Sequence, residues 1–309
     1  MYVLVAKQLL TMAIIGLGGF IFAKIFKVNE SERKFLSKLL MYFINPTMVL
    51  NSFNREFDSQ KLALLGIVVI LSLIIHGMMI VLGILTTKQK IDRLAIAFTN
   101  CGFIGIPLIR GVFGDEGIIF LMGYLAVFNI LVWTYGYHQL SGTSNIIKVI
   151  TNPNIIAVAL GIVIFCMPFT LPEVVARPLS LVADTNTAIS MVLVGVLIAD
   201  FHPSESKEVF PRLAKMTLLR LVICSLLNVV ILFAAYKLIG GITGGMTDLR
   251  MIIFVVLICS MCPVATSIPS LACLFDQDAA YASLTVSITS ILCIITLPGF
   301  VALAELIIK

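Results

Sequence analysis

Charge is scarce in this chain. Of 309 residues, 12% are charged, against about 25% in an average soluble domain. The charges sit in short clusters, such as Lys24 to Lys38, Lys88 to Arg93 and Glu205 to Lys215. No polar stretch is left that could form a separate soluble domain. Histidine is scarcer still, with three residues. His138 and His202 fall in or near expected loops, so no H-E-x-x-H or other convergent set of His, Asp and Cys can be assembled. The chain therefore does not read as an enzyme, and neither a metal nor a cofactor is expected. A dense basic run with interleaved aromatics is also missing, which excludes nucleic acid as a partner and leaves the net charge of +5 as membrane-topology charge. The seven cysteines are an odd number placed inside apolar runs, which argues against a disulfide framework. Cys259 and Cys262 form a C-x-x-C without a second pair, and read as small residues at a helix contact.

Apolar residues are what the chain has instead, at 60%. A helix needs about 20 of them to cross a bilayer. Ten apolar runs stand out, at 3–26, 36–53, 61–85, 93–111, 117–137, 153–169, 176–199, 213–238, 249–273 and 279–307. Polar or turn-forming residues separate them. The first run has one early basic residue, Lys7, and no small-residue cleavage site, so it reads as a retained span and not a signal peptide. Basic residues concentrate in the loops at 24–38 and 88–93, with Lys148 and the 207–215 stretch on the same side. The positive-inside rule then places both termini outside the cell membrane.

One pattern occurs twice. Ile106-Pro107 is followed by Val112-Phe113 and Glu116; 162 residues later, Ile268-Pro269 is followed at the same spacing by Leu274-Phe275 and Asp278. The offset divides the chain into a first repeat, 1–140, a short linker, 141–152, and a second repeat, 153–309. Five spans in each repeat is an odd number, which forces the copies to insert in opposite orientations. The expected fold is an all-α polytopic membrane protein of ten transmembrane helices in a five-plus-five inverted repeat.

Helix breakers sit at matching places in the fourth and ninth runs. Gly102, Gly105 and Pro107 follow Asn100 in one; Pro263, Thr266, Ser267 and Pro269 stand in the other. A proline cannot donate the amide proton of a continuing helix but suits the first turn of a new one. Unwound backbone at membrane depth must be buried in protein or line a wet cavity. The two breaks should therefore meet at one central site, where half-helix N-termini favour an anion such as a carboxylate. Asn100, Thr266 and Ser267 would add side-chain hydrogen bonds. The bland alternative is that Pro and Gly only kink packed helices. Asn45, before Pro46 in the second run, reads about equally as site lining and as a partner for the carbonyl that proline frees. In the seventh run, Asp184 and Asn186 belong to a polar cluster, and an acid at membrane depth is a candidate for a coupling ion, proton or sodium. Asp184 lies early enough in its run to be solvated instead. His76 reads as a helix-packing residue before a proton relay, and Glu116 and Asp278 as helix starts.

The stretch Asn100-Cys101-Gly102-Phe103-Ile104-Gly105-Ile106-Pro107, with Phe113-Gly114-Asp115-Glu116-Gly117 after it, resembles the N-x-G-F-x-G-x-P…G-x-x-G pattern of the auxin efflux carrier family. Asn152-Pro153-Asn154, Gly195, Pro263, Pro269 and Thr296-Leu297-Pro298 are similar to that family as well. The resemblance implies two broken helices crossing at the centre, as in bile-acid and sodium/proton transporter folds, elevator-type alternating access and often a homodimer. Its crossover positions fall on Asn100, Pro107, Pro263 and Pro269. The family usually has a proline in the seventh span where this chain has Ala188. The linker, long in plant exporters of auxin, is short here. That favours a compact bacterial-type permease for malate or malonate, with an exporter of auxin-like aromatic carboxylates or a channel-like facilitator of small acids as the alternatives.

Overall fold

The computed structural model describes residues 2–54, 56, 59–142, 147, 150–167, 170–199, 209–243 and 248–308. Asp200, His202, half of the expected linker, and the basic residues Arg55, Lys148, Lys207 and Lys309 lie outside the described residues. What is described is helical, in chain order α1 (Tyr2–Phe26), α2 (Glu30–Leu39), α3 (Asn45–Phe53), α4 (Ser59–Thr86), α5 (Lys90–Ala97), α6 (Ile106–Leu131), α7 (Tyr137–Ser141), α8 (Pro153–Phe165), α9 (Glu173–Asp184), α10 (Asn186–Ala199), α11 (Phe210–Leu218), α12 (Cys224–Thr243), α13 (Leu249–Met261), α14 (Ser267–Leu274) and α15 (Ala279–Ile307). Single π-helical turns join α2 to α3 at Leu40–Ile44, lead into α6 at Cys101–Gly105, join α6 to α7 at Val132–Gly136, and join α11 to α12 at Leu219–Ile223.

Six helical stretches among the described residues are long and apolar enough to cross a membrane: Tyr2–Phe26, Gln60–Thr86, Cys101–Ser141, Glu173–Ala199, Phe210–Gly240 and Ala279–Ile307. Pro153–Phe165 and Leu249–Met261 are shorter apolar helices. Large apolar side chains such as Leu10, Ile14, Phe22, Ile74, Leu85, Val230 and Ile295 point outward, the pattern of a surface solvated by lipid and not water. The centre is equally apolar. Every residue from Ile252 to Met261 is buried, and a helix that is apolar all round belongs inside other protein.

Local chemistry sets the helix ends. Asn29 opens α2 with a capping box, its side chain accepting from the Glu32 amide while the Glu32 carboxylate accepts from the Asn29 amide. Asp278 caps α15 by accepting from the Tyr281 amide at 2.9 Å, which matches the helix-start expectation. Gly114, at φ +65°, kinks α6 between the fourth and fifth apolar runs. Beyond the kink Glu116 pairs with Lys61 at 2.7 Å.

Two groups of helices pack among themselves. In one, α1 lies along α10, and α3 lies against α8 and α9. A Cβ on Gly195 of α10 would run into the backbone of Gly16 and Phe20 of α1, and one on Gly19 into Val192, so the two axes approach as closely as glycine permits. In the other group, α4 packs on α5 and α6, α13 on α12 and α6, and α14 on α15.

Candidate functional site

Between α5 and the π-turn at Cys101 the chain is extended over Phe98–Asn100, and between α13 and α14 it is extended over Pro263–Ala265. These two stretches lie side by side and antiparallel, with a bridge between Thr99 and Val264. The Asn100 amide donates to the Pro263 carbonyl at 2.8 Å, and the Ala265 amide to the Phe98 carbonyl at 3.1 Å. Thr289 of α15 accepts from the Val264 amide at 3.1 Å, and Thr99 shares a 3.4 Å hydrogen bond with the Tyr124 hydroxyl. Each unwound stretch thus replaces the helical bonds it gave up with bonds to the other, which meets the requirement for irregular backbone inside an apolar protein.

The break lies earlier than the Gly-Pro cluster suggests. Gly102 and Gly105 are already in the π-turn, and Pro107 in the first turn of α6. Pro269 is likewise inside α14, preceded by Thr266 at its N-cap. The prolines start the second half-helix instead of ending the first. Gly105 has a packing role: a Cβ there would meet the Sγ atoms of Cys262 and Cys259 at 3.6 and 3.8 Å, so the C-x-x-C pair lies against this glycine.

Asn100 is 4% exposed and caps the π-turn, accepting from the Phe103 amide at 3.2 Å, while its Nδ2 has no hydrogen-bond partner. The Ser267 hydroxyl at the start of α14 is also unpartnered. A buried amide donor with nothing to bind costs about 1–3 kcal/mol, so these groups mark where a ligand's oxygen would be stabilising.

A family model described as membrane transport protein matches residues 4–149 and 139–301. The chain belongs to this family. It is a multi-pass membrane transporter of the auxin efflux carrier type. No curated protein matches it at a significant level.

The transporter places its other candidate residues as follows. Asn45 and Asn186 face each other, with the Asn186 amide donating to the Asn45 Oδ1 at 2.6 Å. Both are buried, and a Cβ on Gly102 would lie 3.9 Å from the Asn45 Nδ2. The two asparagines therefore tie α3 to α10 beside the crossover. The polar run at Asp184–Asn186 interrupts the helix at Thr185 without the proline usual in the family. Asp184, at the end of α9, has a half-exposed side chain and pairs with Arg110 at 2.7 Å, while Arg110 also reaches the Ala183 carbonyl. His76 is fully buried, its Nδ1 bonded to the Ser72 carbonyl at 2.8 Å and its ring tilted by 44° against that of Tyr124 at 4.8 Å.

Sequence reasoning passed over Arg220, which is fully buried at the crossover. It donates to the carbonyls of Ile96 at 3.0 Å, Ser260 at 2.5 Å and Cys262 at 2.8 Å, and touches the Met79 sulfur. A lone arginine inside the apolar run 213–238 was the available signal, since a charge at membrane depth is a functional hypothesis by default. Nearby Asn228 donates to the Ser260 hydroxyl at 3.0 Å.

Proposed function

We propose that this transporter moves small organic anions such as malate or malonate by elevator-type alternating access, with a substrate carboxylate held at the crossover. The unpartnered Asn100 amide, buried at the meeting point of two unwound segments, is the observation that carries this reading. Asn100 and the backbone from Gly102 to Pro107 would bind from one side, Thr266 and Ser267 from the other, with Pro263 and Pro269 shaping the second break and Asn45 lining the approach. The ten spans would form a five-plus-five inverted repeat over 1–140 and 153–309, with both termini outside the plasma membrane. Asp184 and Asn186 are the coupling candidates, for a proton or sodium ion. A homodimer fits the family.

The test is labelled malate flux into proteoliposomes, with and without a proton or sodium gradient. Saturable flux with counterflow, falling about tenfold or more in Asn100→Ala at an unchanged yield of folded protein, supports the site. Non-saturating flux without counterflow would make the protein a channel-like facilitator. Flux of indole-3-acetate in preference to malate would favour the aromatic-carboxylate exporter. If Asp184 couples transport, Asp184→Asn removes the response to the gradient and leaves downhill flux; an unchanged response rules that role out.

A further inference from the structure

We propose that Arg220 is the fixed counter-charge of the crossover, and that by neutralising two helix ends it reserves the opposite two for a single anionic group. This rests on the crossover being the transport site. Four half-helix ends converge there: the C-terminal ends of α5 and α13, and the N-terminal ends of the π-turn leading to α6 and of α14. Each end carries roughly half an elementary charge, negative at a C-terminus and positive at an N-terminus. Arg220 donates to the Ile96 carbonyl in the last turn of α5 and to the Ser260 and Cys262 carbonyls at the end of α13. One guanidinium therefore matches the negative sum of both C-terminal ends.

Among the described residues, no carboxylate does the same for the positive ends. No Asp or Glu occurs in 93–113 or 249–275, the two stretches that contain the breaks. Among the described residues, no carboxylate pairs with Arg220 either, and its donors go to three carbonyls and the Met79 sulfur. The N-terminal ends retain about one positive charge, next to the unpartnered Asn100 Nδ2 and Ser267 Oγ. A carboxylate group completes this balance. A cation would be repelled, and a neutral polyol would leave the charge uncompensated. The π-turn Leu219–Ile223 puts Arg220 in this position, in keeping with the tendency of π-bulges to occur at functional sites.

Charge and hydrogen bonding can be separated. Arg220→Lys keeps the charge with fewer donors, and Arg220→Gln keeps donors without the charge. Met79→Glu leaves Arg220 in place but sets a carboxylate against it, and Met79→Gln is its neutral control. The first readout is the unfolding temperature of the purified full-length protein in malate, malonate, acetate or glycerol at constant ionic strength. The second is the KM and kcat of malate flux. The anions, and not glycerol, should stabilise the wild type, Arg220→Lys and Met79→Gln. Arg220→Gln and Met79→Glu should lose this anion effect, with KM raised about tenfold or more and kcat changed much less. Should Arg220→Gln fail to fold, Met79→Glu against Met79→Gln carries the same comparison.

The proposal is overturned if no anion stabilises the wild type, if the charge-cancelled variants keep the effect, or if Arg220→Lys loses it as fully as Arg220→Gln. Anion stabilisation that depends on Arg220 without malate flux would leave the counter-charge standing and remove the malate assignment. Malate flux indifferent to the charge would do the reverse.

Discussion

The side chains that matter most here are polar groups whose surroundings are apolar. The Asn186 amide donates to the Asn45 Oδ1 at 2.6 Å across helices that are far apart in sequence, while the Asn186 Oδ1 itself is buried without a partner. Replacing Asn45 by Ala leaves the Asn186 amide buried and unpaired, and is expected to cost about 1–3 kcal/mol, read as a lower unfolding temperature in detergent. Replacing both by Leu should recover part of that loss, because no orphaned donor remains. Asp184 differs, since its side chain is half exposed and its partner Arg110 is shared with Asp115 at 3.2 Å. Asp184→Asn should change stability by less than about 1 kcal/mol, in the same unfolding assay. Asn100, Asn45 and Asn186 could be singled out as polar residues in apolar runs. Their pairing could not, because two asparagines advertise the same chemistry whether they bind each other, the backbone or a substrate.

At the scale of the element, glycine and proline carry most of the information. Gly195 has no room for a side chain because the backbone of Gly16 and Phe20 occupies its place. Gly195→Ala should therefore separate α1 from α10 and destabilise the fold by about 1–3 kcal/mol, whereas Gly18→Ala, with nothing within 4 Å, should be close to neutral. Thermal unfolding of the two variants side by side checks this. Some helical elements were legible from their apolar runs, 3–26 against Tyr2–Phe26 and 279–307 against Ala279–Ile307, whereas 93–111 and 117–137 share one helix, α6. The breaks were legible as a region and displaced in detail. Pro107 and Pro269 pointed to interruption, yet the chain is extended at Phe98–Asn100 and Pro263–Ala265, where hydrogen bonds between the two segments substitute for helical ones. Local breaker chemistry says that a helix must restart at those prolines, and the crossing partner decides where the previous one stops.

Across the whole molecule, few polar ties join the two groups of helices. Gln8 of α1 donates to the Pro107 carbonyl at 3.3 Å, Arg110 reaches across to Asp184 and the Ala183 carbonyl, the Tyr2 amide donates to the Glu305 carboxylate at 2.8 Å, and the Asn152 amide group donates to the Asn129 Oδ1 at 3.5 Å. Any relative movement of the groups has to break these contacts, which are weak and, the last apart, partly exposed. A Cβ on Gly111 would overlap the end of the Gln8 side chain, so positions 8 and 111 are neighbours across the two groups and a Gln8→Cys and Gly111→Cys pair can be tried as a cross-link. Oxidation of this pair in a Cys166→Ser background should stop malate flux, and reduction should restore it. Flux that continues through the oxidised protein would count against alternating access.

The sequence by itself determined that the chain is helical and belongs in a membrane, that two of its apolar runs carry breakers at one spacing, and which family it joins. Those properties are written in hydropathy, breaker residues and motif, which each stretch carries without its neighbours. Only the tertiary structure decided that Thr99 pairs with Val264, that Asn45 meets Asn186, that Asp184 lies at an exposed helix end, and that Arg220 neutralises the ends of α5 and α13. These contacts join residues 40 or more positions apart, and a side chain's charge or hydrogen-bonding capacity does not name its partner until the helices have packed.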